Sequence, residues 1–301
     1  MKLGKRTEFS LALKKILLPW YIILVYPVAK LLLDYKILDS VDTIKRIKKG
    51  KLSMSRYGDG EYEILRRKGT GFQSADDGLA DKLEYILKNP INGHLICIPY
   101  AISSLKGFRS SSKAVWKSFI CRNILVVLRS TSRELTYGNS LCTRFYMLLE
   151  DKSEAPHMAS LLKSLWNGRK VCVIEGEGTR IGVGNDLLSQ AIEVKRILCP
   201  SRNAFSKYNE IRNAVNDLVS KDMILLIALG MTATVLSYDL TIDGYQALDI
   251  GHIDVEYEWM KMGALDKCDL PGRTVNELGC NDVQQIIDEE YESQIIRRIY
   301  E

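Results

Sequence analysis

The 301-residue sequence has only three histidines and seven cysteines, with no C-x-x-C pair. A zinc module is thereby excluded, and so is the evenly spaced disulfide framework of a small secreted domain. The cysteines, several of them inside apolar runs such as Cys97, Cys172 and Cys199, read as buried reduced thiols, which points to a reducing compartment. Prolines number only seven, and no Ser/Pro/Gly-rich stretch or uninterrupted charge run occurs, so neither disorder nor an internal linker is indicated. The nucleotide fingerprints are missing too. Counting G-x-G-x-x-G from Gly176 puts Ile181 at the sixth position, counting from Gly182 puts Leu187 there, and no G-K-[ST] exists. That argues against a nicotinamide-dependent oxidoreductase and against a P-loop enzyme.

Charge is spread unevenly. Residues 1–56 carry 13 Lys/Arg against 4 Asp/Glu, whereas residues 57–301 carry 29 against 33. Lys2, Lys5, Arg6, Lys14 and Lys15 precede the most apolar stretch, Ile16 to Ala29, which continues past Lys30 into Leu31, Leu32 and Leu33. Cations flanking an apolar run suit an anionic membrane surface; a nucleic-acid binder spreads them over a reading surface, so no nucleic-acid partner is expected. The run falls short of the ~20 apolar residues of a spanning helix, is broken by Pro19 and Pro27, and is rich in the interfacial aromatics Trp20, Tyr21 and Tyr26. No A-x-A cleavage site follows it. The expectation is a peripheral or monotopic anchor over residues 1–38, holding a domain of residues 39–301 on the cytoplasmic face of the cell membrane. A core helix packed on that domain is the alternative.

Beyond residue 50, short β-branched runs alternate with helical periodicities. Strands are predicted at Leu52 to Tyr57, His94 to Pro99, Ile124 to Leu128, Lys170 to Glu175, Arg196 to Pro200, Met223 to Leu229 and Gln246 to Ile250. Helices are predicted at Gly78 to Lys88, Glu154 to Trp166, Asp186 to Glu193, Ala204 to Val219 and Thr232 to Leu240. Continuous apolar strands imply helices on both faces of a mostly parallel sheet, an α/β Rossmann-like fold whose ligands bind at the carboxyl ends of the strands.

Four predicted strand ends carry chemistry. In Arg56-Tyr-Gly58-Asp59-Gly-Glu61, Asp59 and Glu61 are candidate ligands for a hard divalent cation and Arg56 for a phosphate, unless the segment is only a polar turn. In Glu175-Gly-Glu177-Gly-Thr-Arg180-Ile-Gly-Val-Gly184-Asn185-Asp186, the glycines would let backbone amides approach a phosphate or sugar before a helix opening near Asp186. Pro200-Ser201-Arg-Asn203-Ala and Gly230-Met-Thr232-Ala each close a strand and open a helix, as anion sites or as ordinary caps. Asp249-Ile-Gly-His252-Ile-Asp254-Val-Glu256-Tyr-Glu258-Trp packs five ligand-type groups together. If extended, it would align Asp254, Glu256 and Glu258 on one face as a Mn²⁺ or Mg²⁺ site, with His252 close by; an exposed acidic helix start is the alternative.

Taken in series, these motifs, with Tyr137-Gly-Asn-Ser and the following Arg144, resemble the GT-D type glycosyltransferases, a bacterial family first catalogued as a domain of unknown function. The resemblance covers residues 40 to 298, with Met231 where proline is usual. It implies a GT-D type Rossmann-like fold, a UDP-sugar donor, a divalent metal held through D-x-E and work on bacterial surface glycans, here with a glycan or lipid-linked oligosaccharide acceptor. Both Asp59-Gly-Glu61 and Asp254-Val-Glu256 match D-x-E. The expected donor-binding set is Arg56, Gly58, Asp59, Glu61, Arg144, Glu175, Arg180, Gly184, Asn185, Asp186, Ser201, Asn203, Gly230 and Thr232. Glu177, His252 and Glu256 are candidates for taking the acceptor proton. A membrane-tethered, non-catalytic nucleotide-sugar-binding scaffold is the competing reading.

Overall fold

The computed structural model describes residues 18–275 and 288–300. Its strands are β1 (Lys36–Ile37), β2 (Ser53–Arg56), β3 (His94–Ile98), β4 (Thr136–Asn139), β5 (Lys170–Gly176), β6 (Glu193–Cys199), β7 (Ile224–Ala228), β8 (Gln246–Asp249) and β9 (Ile295–Arg298). A helix over residues 18–32 is α1. It is followed by α2 (Ser40–Gly50), α3 (Asp59–Leu65), α4 (Asp77–Lys88), α5 (Ser110–Ser130), α6 (Ala155–Lys163), α7 (Tyr208–Leu218), α8 (Met231–Ile242), α9 (Ile253–Lys261) and α10 (Glu289–Gln294).

The nine strands form one sheet in the order β1-β4-β3-β2-β8-β7-β5-β6-β9, and every pairing is parallel. Parallel ladders require crossovers, and the crossovers cover both faces. Successive residues of β5 therefore enter opposite cores. Val171 and Val173 pack with α2, α6 and α9 residues such as Ile47, Leu162 and Trp259, while Cys172 and Ile174 pack with α4, α5, α7 and α8. This two-sided burial is why the strand reads as an unbroken apolar run.

Helix starts follow local chemistry. Asp39 accepts from the Asp42 N–H at 2.8 Å to cap α2, and Asp76 accepts from the Leu79 N–H at 2.9 Å to cap α4. α4 then buries Leu79, Ala80, Leu83, Ile86 and Leu87, and stops just before Asn89-Pro90. The chain leaves β2 outward through β3 and β4 in one direction and lays its second half on the other side, so β2 and β8 meet where the progression reverses. In open α/β sheets that crevice is where ligands bind.

Two sequence expectations are corrected. Ile124 to Leu128 is not a strand but the last turns of α5: Val126 and Val127 are buried and Leu125 faces out, a helical division that a short apolar run does not disclose. Asp186 to Glu193 is not a helix. Leu187 and Leu188 are both buried, and the segment runs as turns held by Ser189 N–H to the Asp186 carbonyl and by Gly168 N–H to the Gln190 carbonyl. The N-terminal segment, read as an appendage up to residue 38, joins the domain by residue 29: Ala29, Leu33 and Tyr35 are buried in the core and β1 pairs with β4. Residues 1–17, which hold five of the predicted anchoring cations, lie outside the described residues.

His94 opens β3 and is buried, with Nε2 2.7 Å from the Ser55 hydroxyl and Nδ1 2.9 Å from the Thr241 hydroxyl. Burial pushes its pKa down to about 3. The unfolded chain therefore binds a proton near pH 6.5 that the folded chain refuses, and stability is lost as pH falls from about 6.5 toward 3. We expect His94→Gln to flatten this acid limb by up to ~1.4 kcal/mol per pH unit, measured by urea unfolding between pH 4.5 and 7. An unchanged slope would remove His94 as its source.

Candidate functional site

A cleft of about 870 Å³ opens at the carboxyl ends of the strands. Its floor comes from the ends of β2, β5, β6, β7 and β8, through Arg56, Gly176, Ser201, Gly230 and Asp249. Of the sequence-predicted residues, Arg56, Gly58, Asp59, Glu61, Arg144, Glu177, Ser201, Gly230, His252 and Asp254 line it. Glu175, Arg180, Gly184, Asn185, Asp186, Asn203, Thr232 and Glu256 are not among its walls.

The centre of the floor is an ion pair across the switch point. Arg56 Nη2 donates to Asp249 Oδ1 at 2.9 Å, and Nε donates to the Asp249 carbonyl at 2.8 Å. Nη1 reaches the other way, to the Ser140 carbonyl at 3.0 Å and the Thr143 hydroxyl at 2.8 Å. Arg56 thus joins the ends of β2, β8 and β4, and most of its donors are spent on protein. Gly251 makes room for it: at φ +48° it is in the left-handed region, and a Cβ there would sit 1.8 Å from Arg56 Nη2.

Glu61 stands on the first turn of α3. Its Oε2 accepts from the Gly58 N–H at 2.7 Å, closing the helix start. The Thr234 hydroxyl lies 3.4 Å from Glu61 Oε1 and 3.2 Å from Asp249 Oδ2. Burial, reinforced by the Asp249 charge, pushes Glu61 up to about 7. Glu61 is thus a second buried carboxylate beside the Arg56–Asp249 pair, and Asp59, exposed at the cleft, adds a third negative group. Such an excess of negative charge is a place for a cation. Among the described residues no three His, Cys, Asp or Glu side chains form a preformed metal cage. The pair Asp59 and Glu61 fits the open type of site, where one or two carboxylates hold the ion and substrate phosphates complete its shell.

The glycine-rich loop is built from inside. Glu175 is fully buried at the end of β5, accepts from Arg196 Nη1 at 2.7 Å and from the Ile181 N–H at 2.8 Å, and burial raises its pKa. Arg196 also donates to the Ile181 carbonyl at 2.9 Å and to Gln294 at 2.7 Å. The Tyr291 ring has the Arg196 and Arg180 guanidinium carbons 4.7 and 4.8 Å from its centroid. Asn185 donates to Asp254 at 2.9 Å and Glu258 at 2.5 Å. Asp186 binds Lys163, Lys261 and the Tyr257 hydroxyl, and the Lys163 hydrogen bond holds its carboxyl well below the usual range. Asn203, at φ +48°, accepts from the Ser74 N–H at 2.7 Å. These residues hold the loops in shape, which leaves Glu177 and Thr179 to face the cleft.

The acidic stretch after β8 is neither extended nor exposed: it is α9, capped at His252, and Asp254 and Glu256 are buried. A helix places Asp254 and Glu258 on one side, where both bind Arg273, and sends Glu256 to the other. There Glu256 Oε2 accepts from the Tyr146 and Met147 N–H groups at 2.9 and 2.8 Å, with Arg144 Nε 3.5 Å from Oε1. The Asp254/Glu256 pair therefore does not converge as the extended reading requires. Glu256 instead suspends the segment that carries Arg144 and Met147 along the cleft wall.

The opposite wall was not anticipated. It is the first half of α5, contributing Ser112, Val115, Trp116, Phe119 and Arg122, with Arg109 at its start held by Asp266 at 2.7 Å. An apolar helix face carries no ligand signal in sequence, since the same pattern serves any core. Arg196 did leave one: a guanidinium in the middle of a parallel strand must be paired.

Comparison with known proteins agrees with this geometry. Residues 54–278 match the family described as glycosyltransferase GT-D fold. The chain is 37% identical over 249 residues to a probable glycosyl transferase of Streptococcus gordonii, covering 82% of this chain and 36% of that one. It is 37% identical over 260 residues to the glycosyltransferase GlyD of Streptococcus pneumoniae serotype 4, covering 86% and 32% respectively. It thus spans about a third of the length of these curated relatives. A solved domain of unknown function 1792, described as having a distinct glycosyltransferase fold, superposes with a TM-score of 0.87 at 35% identity over 90% of this chain and 98% of that one. A second, described as a new glycosyltransferase from Streptococcus sanguinis, gives 0.85 at 32% identity over 89% and 100%. With a family match over residues 54–278 and a superposition covering 90% of its length, the chain belongs to the family with the glycosyltransferase GT-D fold.

Proposed function

We propose that the chain is a metal-dependent glycosyltransferase that moves a hexose from a UDP-sugar to a bacterial surface-glycan acceptor, carried on lipid at the cytoplasmic face of the membrane. The observation that supports this best is the concentration of Asp59, Glu61, Asp249 and the α8 N-terminus in one cleft at the switch point. Asp59 and Glu61 would hold Mn²⁺ or Mg²⁺. When bound, the ion supplies positive charge to the departing diphosphate.

The protein does the rest. The first turn of α8, which opens at Gly230 and contains no acidic residue, directs its N–H groups and dipole at an anion. Gly230 lies at φ +54°, and a Cβ there would stand 2.6 Å from the Phe72 ring, so the turn is shaped for glycine. Arg144 adds a cation to the wall. As the glycosidic bond breaks, its electron pair goes to the diphosphate oxygen, and these groups stabilise the charge. The acceptor hydroxyl bonds to the sugar carbon and gives up its proton; Glu177 and His252 are the candidates that reach the cleft.

A panel of UDP-, GDP- and CMP-sugars, each with Mn²⁺, Mg²⁺ or chelator and without acceptor, tests the reading. UDP-sugars should be hydrolysed slowly, faster with Mn²⁺ and not at all with chelator. Turnover confined to a GDP-sugar, or indifferent to chelator, would overturn it.

A further inference from the structure

α5 has α1 on one side and the cleft on another. The Tyr21 hydroxyl donates to the Cys121 carbonyl at 3.0 Å, and Lys117 lies 5.4 Å from the Tyr26 ring centroid. Trp116, Phe119 and Arg122 face the cleft. Between these contacts α5 presents a strip to solvent, with Leu125 75% exposed one turn beyond Cys121 and Arg122 and Arg129 alongside. The 21 residues of α5 contain Lys113, Lys117, Arg122 and Arg129 and no acidic residue. On α1, Trp20, Ile23, Leu24, Val28 and Leu31 recur at spacings of three and four, which sets them on one outward face, and they are 52–81% exposed. Among the described residues no helix is long and apolar enough to cross a membrane. An apolar stripe of this size marks an interaction surface.

We infer that α1 and α5 form a single bilayer-contacting surface, in which the α1 stripe enters the headgroup region and Leu125 with Arg129 completes the contact, so that the cleft mouth faces the lipid. The occupant is an anionic bilayer because an apolar stripe bordered by cations, on a helix without a single carboxylate, complements anionic headgroups. The inference rests on the membrane-attached reading above and extends it from the N-terminal segment to the catalytic domain itself. A lipid-borne acceptor then reaches Arg122 and Trp116 along α5 without leaving the surface.

Sedimentation of the full chain with phosphatidylglycerol vesicles, and with phosphatidylcholine vesicles as the neutral control, tests it. The variants are Trp20→Glu/Leu24→Glu on α1, Leu125→Glu/Arg129→Glu on α5, and Ile192→Glu, an exposed apolar position just before β6 at the opposite end of the sheet. Both double variants should lower partitioning onto phosphatidylglycerol by about tenfold, while Ile192→Glu matches the parent. UDP-sugar hydrolysis without vesicles, and the melting curve, should be unchanged in all three. Loss in the α1 variant with none in the α5 variant overturns the inference and leaves attachment by the N-terminal segment. Indifference to the α1 variant overturns both. Dimerisation in buffer with no vesicle binding assigns the surface to a second copy of the chain and overturns the inference.

Discussion

Arg56→Met is expected to cost about 3–5 kcal/mol of stability and to abolish donor binding, because it leaves the buried Asp249 carboxylate without its guanidinium. The loss should exceed that of an ordinary ion pair, since the same side chain also satisfies the Ser140 carbonyl and the Thr143 hydroxyl. Glu61, already raised by burial and by Asp249, would lose its nearest compensating charge as well. Gly251→Ala should reach part of the same state by a steric route, its methyl group occupying the position of Arg56 Nη2. Urea unfolding followed by circular dichroism measures the first effect and UDP-induced thermal shift the second. The double variant Arg56→Met/Asp249→Leu separates the two: replacing both charges should recover much of the stability and none of the binding. If Arg56→Met unfolds within about 1 kcal/mol of the parent, the pair does not hold the strand ends together.

The second large effect is a dissociation between two D-x-E sequences. Asp59→Asn and Glu61→Gln should each remove Mn²⁺-stimulated UDP-sugar hydrolysis, by about 10²-fold or more, while the melting temperature holds. The fold should survive Glu61→Gln because Gln keeps the bond from the Gly58 N–H and replaces a carboxylate that burial holds up to about 7. Glu256→Ala should do the reverse. It strips the acceptor from the Tyr146 and Met147 N–H groups inside the protein, and a fall of several kcal/mol in stability is expected whether or not Mn²⁺ is present. Isothermal titration of Mn²⁺ into UDP-saturated protein, run beside thermal melts, distinguishes them. A Glu256→Gln variant that folds normally yet loses Mn²⁺ affinity would return the metal to the second motif.

The parallel sheet was legible because its physics is local and repeated. A strand such as Lys170–Gly176 is apolar at consecutive positions only if both its faces are covered, and that pattern shows in one sequence. The cleft was legible at its floor for a related reason: glycines and carboxylates clustered at strand ends interrupt the apolar pattern of the strands they close. Where the reading failed, distant residues decide. Asp249 to Trp259 alternates like a strand, yet Trp259 is buried with its indole N–H donating to the Cys268 carbonyl, and the segment is helical because α6 and the chain after it receive that face. Asp254 looks like a ligand in sequence; Arg273, whose role no local pattern announces, pairs with it, and Asn185 donates to the same carboxylate. Short edge strands such as β1 and β9 are similarly silent, being two and four residues long and half exposed.

The centre of the sheet has a kinetic consequence. β2 finds its inner neighbour only in β8, and the amide of Gln246 that reaches the Leu52 carbonyl spans 194 residues of chain. Until β8 has been synthesised, β2 presents an open row of backbone donors and acceptors in the middle of what will become the most buried part of the protein. Loop closure over such a distance precedes any reward from pairing, so refolding should be slow and dependent on protein concentration, with intermolecular strand pairing competing for the same row. The junction that creates the cleft therefore closes only after β8 exists, and the floor of the cleft comes into being only when the two halves of the chain meet.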